Sequence, residues 1–401
     1  LRHKFCDPAA DIDANYRIPY RLVQVYLNMS LKRVVQVVVA KHSAPRVWLL
    51  LDGKPGHASQ VTGLARQMEW QAQSIQVTFN ALNFLPNPVL GASLLSVEAE
   101  SRAQLQSPFP DVVVSMGRKT MPVAAWIKKQ TGGHCKIIMI GRKAIGDPRH
   151  LDLLISCAHF QQLPRPGLFE LTVPPTKVDA AELDRLRTVV PDPFVAPAGP
   201  RIAVLIGGPT TQHSFDAAFA QELAVRLTRA AKAIDGRLAF LTSRRTPPDV
   251  IHALQNNAPS AQFYLWEKAQ QPNLYMNFLS HCDALVVTGE SETMIAEAVA
   301  TGKPLSIYPL KEKQPAFKWR FINWLFAMAK GHGVGARFVR GMFMRGWIVP
   351  TRDLNIMHQA LCRTGQAIVF DKKINTLRPA QNRELARLKE TITVLVSTRP
   401  T

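Results

Sequence analysis

Three short stretches hold residue types that can do chemistry together. The first is Asp52, Gly53, Lys54, Pro55, Gly56 and His57, directly after the apolar run VWLLL (47–51). Glycines at a strand-to-helix turn let the backbone approach a ligand closely. A histidine facing such a turn serves as a general base or positions an acceptor. A histidine that merely ties down a loop carbonyl is the plainer reading. The spacing is not GxxxxGK[ST], so a P-loop is excluded.

The second stretch is IGGPTT (206–211), where a strand runs into Gly207, Gly208 and Thr210. Backbone amides, hydroxyls and a helix N-terminus suit a diphosphate. An ordinary tight turn gives the same letters, and the absence of GxGxxG argues against a dinucleotide. The third is TGESETMIAEA (288–298), leading to Gly302, Lys303 and Pro304. A carboxylate at Glu297 can accept both hydroxyls of a ribose, while Ser291 and Thr293 can cap the helix or donate to phosphate. Glu290 and Glu292 complement the helix dipole but repel a diphosphate placed on that helix. The expected division therefore gives the phosphates to Gly207, Gly208 and Thr210 and the ribose to Glu297, with Ser291 and Glu292 at the donor side. Arg244 and Arg245 stand ready to neutralise a departing diphosphate, or are simply solvated. No DxD pair follows a strand, so no metal is expected, and no cofactor beyond a nucleotide-sugar substrate.

Segments that must position these residues alternate along the chain. Strands are predicted at VWLLL (47–51), SIQVTFNAL (74–82), DVVVSMG (111–117), CKIIMIG (135–141) and LDLLIS (151–156), then at RIAVLIGG (201–208), RLAFLTS (237–243), ALVVTG (284–289) and PLSIYPL (304–310). Helices are predicted from about Gln60, over 120–130, 214–234 and 248–257, and over about 291–301. Short apolar strands separated by helices imply parallel sheets covered on both faces. The proline-rich stretch 157–200 reads in part as a linker. The expected organisation is an N-terminal extension (1–45), an acceptor lobe (46–190), a nucleotide-sugar donor lobe (200–350) and a helical tail (351–401).

A fourth stretch, FKWRFINWLF (317–326), is followed by RFVRGMFMR (337–345). It mixes aromatic and basic residues as interfacial segments do, or it packs its aromatics back on the first lobe. The chain has 401 residues, 47% of them hydrophobic and 19% charged, with net charge +20. That size suits two domains rather than one core. The basic balance favours anionic partners, a membrane surface or a nucleotide. Without an RNP signature, zinc-finger spacing or a long basic tract, sequence-specific nucleic acid is not expected. No apolar run reaches the roughly 18 residues of a membrane span. Cys6, Cys135, Cys157, Cys282 and Cys362 are scattered without CxxC pairs. That pattern implies reduced, mostly buried thiols in a cytoplasmic setting, not disulfides or zinc, with the protein peripheral to the inner membrane if the basic surface docks there. Residues 1–28 lack periodicity. Met29 as the initiator is one reading; the other is a mitochondrial presequence, against which Asp7, Asp11 and Asp13 count.

Taken together, GxxGH after the first strand, Gly-Gly opening the second lobe and ExxxxGxP near its end resemble the GT-B glycosyltransferases. Among these, the pattern is similar to the transferase that adds N-acetylglucosamine to the lipid-linked peptidoglycan precursor. DGKPGHASQVTGLA (52–65), SMGRKTMPVA (115–124), IGRKAIGDPRHLDLLI (140–155), VLIGGPT (204–210), SRRTP (243–247), VTGESETMIAEAVATGKPL (287–305) and GARFVRG (335–341) resemble the mitochondrial fission family named for elongated mitochondria. The resemblance implies an α/β, GT-B-like fold of two Rossmann-like lobes facing a cleft. It implies donor ribose binding by Glu297 and a catalytic role for His57, with Gly53, Gly56, Gly117 and Arg118 on the acceptor side. Family members usually carry Asp-Ser where this chain has Glu290 and Ser291. Three functions follow as expectations. One is transfer of a sugar from a nucleotide donor to a hydroxyl acceptor, lipid-linked in envelope biogenesis. The second is a non-catalytic fission-family adaptor that docks a membrane or protein. The third is epimerisation of a nucleotide sugar without NAD, using Asp52, Glu290 or Glu292.

Overall fold

Runs of apolar, mostly branched residues pair edge to edge in two sheets of six parallel strands each. The computed structural model describes residues 44–141, 150–195, 199–267, 274–313, 317–345, 347–381 and 383–397. Residues 1–28 with Met29, and much of the 140–155 motif, lie outside the described residues.

The first lobe runs through β1 (Val47–Leu51), α1 (Pro55–Gln67), β2 (Ala72–Gln76), two short helices α2 (Asn87–Leu90) and α3 (Ala99–Ala103), β3 (Val112–Met116), α4 (Met121–Gln130), β4 (Lys136–Ile140), β5 (Leu153–Cys157) and β6 (Leu168–Leu171). Helix α5 (Ala180–Val189) follows, its N-terminal amides capped by Asp179. The second lobe contains β7 (Arg201–Leu205), α6 (Ala217–Lys232), β8 (Arg237–Leu241), α7 (Pro248–Asn257), β9 (Gln262–Tyr264), α8 (Leu274–His281), β10 (Ala284–Thr288), α9 (Glu292–Ala300) and β11 (Leu305–Tyr308). Then come α10 (Phe317–Lys330), α11 (Val334–Met344), α12 (Leu354–Arg363), β12 (Ile368–Val369) and α13 (Glu384–Ser397).

Strand order decides where ligands can go. It is β2-β1-β3-β4-β5-β6 in one sheet and β12-β11-β10-β7-β8-β9 in the other. The order reverses between β1 and β3 and between β7 and β10. At such reversals adjacent crossovers go to opposite faces and leave a crevice beyond the carboxyl ends of the strands. Both lobes are thus Rossmann-like, as the alternation of segments predicts, and two such lobes make the GT-B-like fold that the resemblance implies.

Each sheet is sandwiched between cores, so its central strands are apolar on both faces. Ala203, Leu205, Leu285 and Val287 face one side of the second sheet, and Ile202, Val204, Phe240 and Val286 the other. Phe240 is fully buried; its truncation to Ala costs about 3–5 kcal/mol through lost contacts and a cavity. The proline-rich stretch is more than a linker. It contains β6, which pairs with β5, and α5, whose Leu183 joins the second lobe's core. The C-terminal segment divides: Leu354, Met357 and Leu361 pack on the second lobe, while Leu388 and Ile392 of α13 return to the first. Glu384 of α13 accepts from the Thr172 amide at 2.9 Å and its hydroxyl at 2.6 Å, fastening that return.

The lobes also meet at the carboxyl edges of their sheets. The Asp353 amide donates to the His159 carbonyl at 2.9 Å, and the Gln161 side chain to the Thr351 carbonyl at 3.1 Å. Helices α10 and α11 form a hairpin around Phe326, Val339 and Phe343, with Leu163 from the first lobe. Their aromatics divide between the two readings: Phe326 and Phe343 are buried, whereas Phe317, Phe321, Trp324 and Phe338 are exposed. No described helix is long and apolar enough to cross a membrane.

Candidate functional site

At the first reversal, Asp52 follows β1, and Gly53 takes a φ of +78° to turn the chain into α1, which Pro55 opens. His57 stands in the first turn. Its Nδ1 lies 2.9 and 3.0 Å from the two oxygens of Asp52, a side chain only 2% exposed. Because a carboxylate only accepts, Nδ1 carries a hydrogen in this pair, which leaves Nε2 as the ring nitrogen that can exchange a proton with a ligand. Burial pushes the Asp52 carboxyl up, but the His57 hydrogen bond and charge, with the Lys54 amide and ammonium, outweigh it and hold the carboxyl below its ordinary value. From β3, Gly117 adopts a φ of +91° and passes so close that a Cβ would lie 3.0 Å from His57 Cε1. The strand reversal thus builds a partly exposed imidazole fixed from one side by a carboxylate and from another by backbone.

The other acceptor-side expectations fare differently. Gly56 has open space around it. Arg118 is turned inward: its guanidinium donates to the carbonyls of Leu85, at 2.6 Å, and Asn83, and to Asn87 Oδ1 at 3.3 Å. It secures the loop over 83–87 instead of reaching toward a ligand.

At the second reversal the glycine turn is already occupied by the protein itself. The Gly207 amide donates to Thr288 Oγ1 and the Gly208 amide to Glu290 Oε1, each at 2.9 Å. The Gly207 carbonyl accepts from Ser243 and Thr246. A Cβ on Gly207 would fall 1.6 Å from Glu290 Oε1, and one on Gly208 2.3 Å from the Arg245 carbonyl. Backbone packing therefore demands Gly208, while a side chain at Gly207 would meet the Glu290 carboxyl. Thr210 is also engaged, accepting from the Gln212 and His213 amides and meeting His213 Nδ1 at 3.1 Å. The expected phosphate donors all have partners within the protein, so a diphosphate must displace Glu290 to reach the Gly208 amide.

Glu290 is 1% exposed, and its Oε2 has no partner among the described residues. Burial raises its carboxyl to about 7, against the pull of its own amide, the Gly208 amide, Thr288 and Arg245. Arg245 Nη2 stands 4.0 Å away, and both Arg244 and Arg245 are exposed. Ser291 is the N-cap residue of α9, without a capping hydrogen bond from its side chain. Glu292 meets Arg352 Nη1 and His159 Nε2, each at 3.4 Å.

Glu297 is not joined to this turn. It is buried on α9, and its Oε2 accepts from the Tyr275 hydroxyl at 2.6 Å. Burial raises its carboxyl, opposed by the Tyr275 hydrogen bond and the Lys177 charge. The structure therefore brings His57 and Gly117 together, and Gly207, Gly208 and Arg245 together around Glu290, but directs Glu297 to Tyr275. A cavity of about 400 Å³ lies elsewhere, at the interlobe crossover near Pro174, Ala296 and Glu384. Sequence reasoning missed Asp52 as the partner of His57, although a carboxylate five residues before a histidine across a strand-to-helix turn was the available signal. It also missed His159, which no motif marks.

Mitochondrial fission protein ELM1 of Arabidopsis thaliana is 26% identical over 241 residues, 55% of this chain and 56% of that protein. The chain thus matches little more than half the length of that relative. Protein RP120 of Rickettsia prowazekii (strain Madrid E) is 25% identical over 298 residues, 65% of this chain and 82% of its own. Among solved structures, the ADP-heptose lipopolysaccharide heptosyltransferase II of E. coli is 13% identical, with a TM-score of 0.40 over 88% of this chain and 98% of that one. The family model described as mitochondrial fission ELM1 matches residues 55–344, from the helix that carries His57 to the end of α11, and the chain belongs to that family.

Proposed function

We propose that this chain binds a nucleoside-diphosphate sugar at the carboxyl edge of the second sheet and transfers the sugar to a hydroxyl acceptor at the first. The observation that supports this is the Asp52–His57 pair at the β1/β3 reversal. An imidazole whose Nδ1 is held by a buried carboxylate is suited to accept a proton at Nε2. In the step, the acceptor oxygen bonds to the anomeric carbon as its proton passes to His57. The bond from that carbon to the diphosphate breaks, and the electron pair leaves with the phosphate. Arg244 and Arg245 neutralise the departing charge, and the diphosphate takes the Gly208 amide in place of Glu290. Glu297, released from Tyr275, holds the ribose hydroxyls. A lipid-linked hydroxyl fits the acceptor side best, since the chain also carries an exposed aromatic and basic hairpin.

Incubation with UDP-, GDP- and ADP-sugars, followed by product analysis, tests this reading. Release of nucleoside diphosphate that His57→Ala abolishes supports it. A changed sugar still attached to its diphosphate marks epimerisation and overturns it, as does release unaffected by His57→Ala.

A second reading is a non-catalytic adaptor docking on a membrane. It is favoured by α10 and α11, where Phe321 stacks on Trp324 at 5.8 Å and both are exposed. The segment 317–345 contains six Lys and Arg residues and no Asp or Glu, as binding to an anionic interface requires. Flotation with anionic vesicles, lost in a Phe321→Ala/Trp324→Ala variant, supports it; equal flotation of the variant counts against it.

A further inference from the structure

We infer that Cys157, His159 and Glu292 form a zinc-class metal site that ties the two lobes together. Cys157 closes β5 and His159 lies two residues on, in a short 3₁₀ turn (Ala158–Phe160). Cys157 is extended (φ −101°, ψ 145°), and the 3₁₀ turn that begins at Ala158 brings His159 back beside it. Glu292 comes from the other lobe, in the first turn of α9. One donor atom from each of the three residues lies within 4.8 Å of the other two; Cys157 and His159 are buried, and the Glu292 side chain is 11% exposed.

His159 is the independent observation. It is 0% exposed, and neither ring nitrogen has a hydrogen-bond partner among the described residues. A buried imidazole without partners is rare unless something else engages it. Its Nε2 stands 3.4 Å from Glu292 Oε2. Two ligands each about 2.0–2.1 Å from a tetrahedral zinc are separated by about 3.4 Å. The spacing therefore matches an edge of such a site. Sulfur, imidazole and carboxylate together favour zinc over magnesium or calcium, which take oxygen ligands. Arg352, 3.4 Å from the same Glu292 oxygen, serves as an outer partner that orients the ligating carboxylate. Binding forms bonds from sulfur, nitrogen and oxygen to the metal and releases the Cys157 thiol proton to solvent. Because the ligands belong to separate lobes, the metal stabilises the interlobe contact. The site is independent of the transfer reading and of the Asp52–His57 pair.

The test uses the full chain, stripped with a chelator and titrated with Zn²⁺ against a chromophoric competitor, and separately with Co²⁺ by absorption. The expected result is one tight equivalent of Zn²⁺ and a thiolate-to-cobalt charge-transfer band. Cys157→Ser should abolish the band and weaken Zn²⁺ binding at least tenfold. Glu292→Gln, a change on the opposite lobe, should weaken it in a protein that melts cooperatively. A cobalt band retained in Cys157→Ser, or equal zinc affinity in wild type and Glu292→Gln, overturns the assignment. So does wild-type protein that binds no zinc, which would leave His159 and Glu292 as a metal-free pair.

Discussion

Glu290 reaches across the β7/β10 reversal and accepts from the Gly208 amide at 2.9 Å. A carboxylate oxygen therefore sits where a glycine turn of this kind would receive a phosphate. Gly208 is also held against the Arg245 backbone, and Arg245 Nη2 stands 4.0 Å from the same carboxylate. The arrangement couples ligand entry at the second lobe to movement of one buried acidic side chain.

That side chain gives stability a pH dependence. The folded carboxyl is raised from 4.5 to about 7 by burial, so between those values the folded state binds the proton more tightly than the unfolded chain. Stability should fall as pH rises from about 4.5 to about 7 and then level off, by at most about 3 kcal/mol. Glu290→Gln keeps the acceptor for Gly208 and removes the titration. Denaturant unfolding at pH 5 and pH 8 should show a smaller difference for the variant than for wild type.

Asp52→Asn leaves the shape of the first site intact but removes the acceptor that fixes His57. The amide can donate to Nδ1 and stabilise the wrong tautomer. Sugar transfer should drop about 10²–10⁴-fold with little loss of melting temperature. The readouts are steady-state nucleoside diphosphate release and a thermal melt on the same sample.

Gly117→Ala tests the other support of the imidazole. The new Cβ would lie 3.0 Å from His57 Cε1, on a backbone with φ of +91°. Strain of this kind costs about 1–2 kcal/mol. The imidazole must also shift, so activity should fall further than the loss of stability alone explains. Comparing rates well below the melting transition separates the two effects.

Tyr275→Phe removes the donor to Glu297. A buried carboxylate left without its hydrogen bond costs about 1–3 kcal/mol, measured by chemical denaturation. If Glu297 takes the ribose, a nucleoside diphosphate should recover part of that loss by supplying hydroxyl donors, seen as a larger ligand-induced rise in melting temperature for the variant than for wild type.

The central strands were legible and the edges were not, for one physical reason. β1, β3, β4, β5, β7, β8, β10 and β11 are covered on both faces by helices and have neighbours on both sides, so their residues form continuous apolar runs such as VVVSM or ALVVT. β2, β6, β9 and β12 are the four edge strands. β2 is AQSIQ with one fully buried residue, so apolarity displaced the expected strand toward 74–82, while β6, β9 and β12 escaped notice. At the site, the glycine turns and His57 were readable because chemistry and turn geometry demand those residue types. The Asp52 partner was signalled by its five-residue spacing across the turn, whereas Glu290 and His159 depend on side-chain direction and on contacts between distant segments, which local spacing does not encode. Glu297 shows the same limit: its place on the helix was readable, but its turn toward Tyr275 was not.

The most direct test of the central claim is calorimetric titration of the chain with UDP, GDP and ADP. The account predicts that one of them binds at a single site with Kd below about 1 mM, and that Arg244→Ala/Arg245→Ala weakens that binding at least tenfold. Failure of all three to bind at millimolar concentration, or binding indifferent to both arginines, would contradict it.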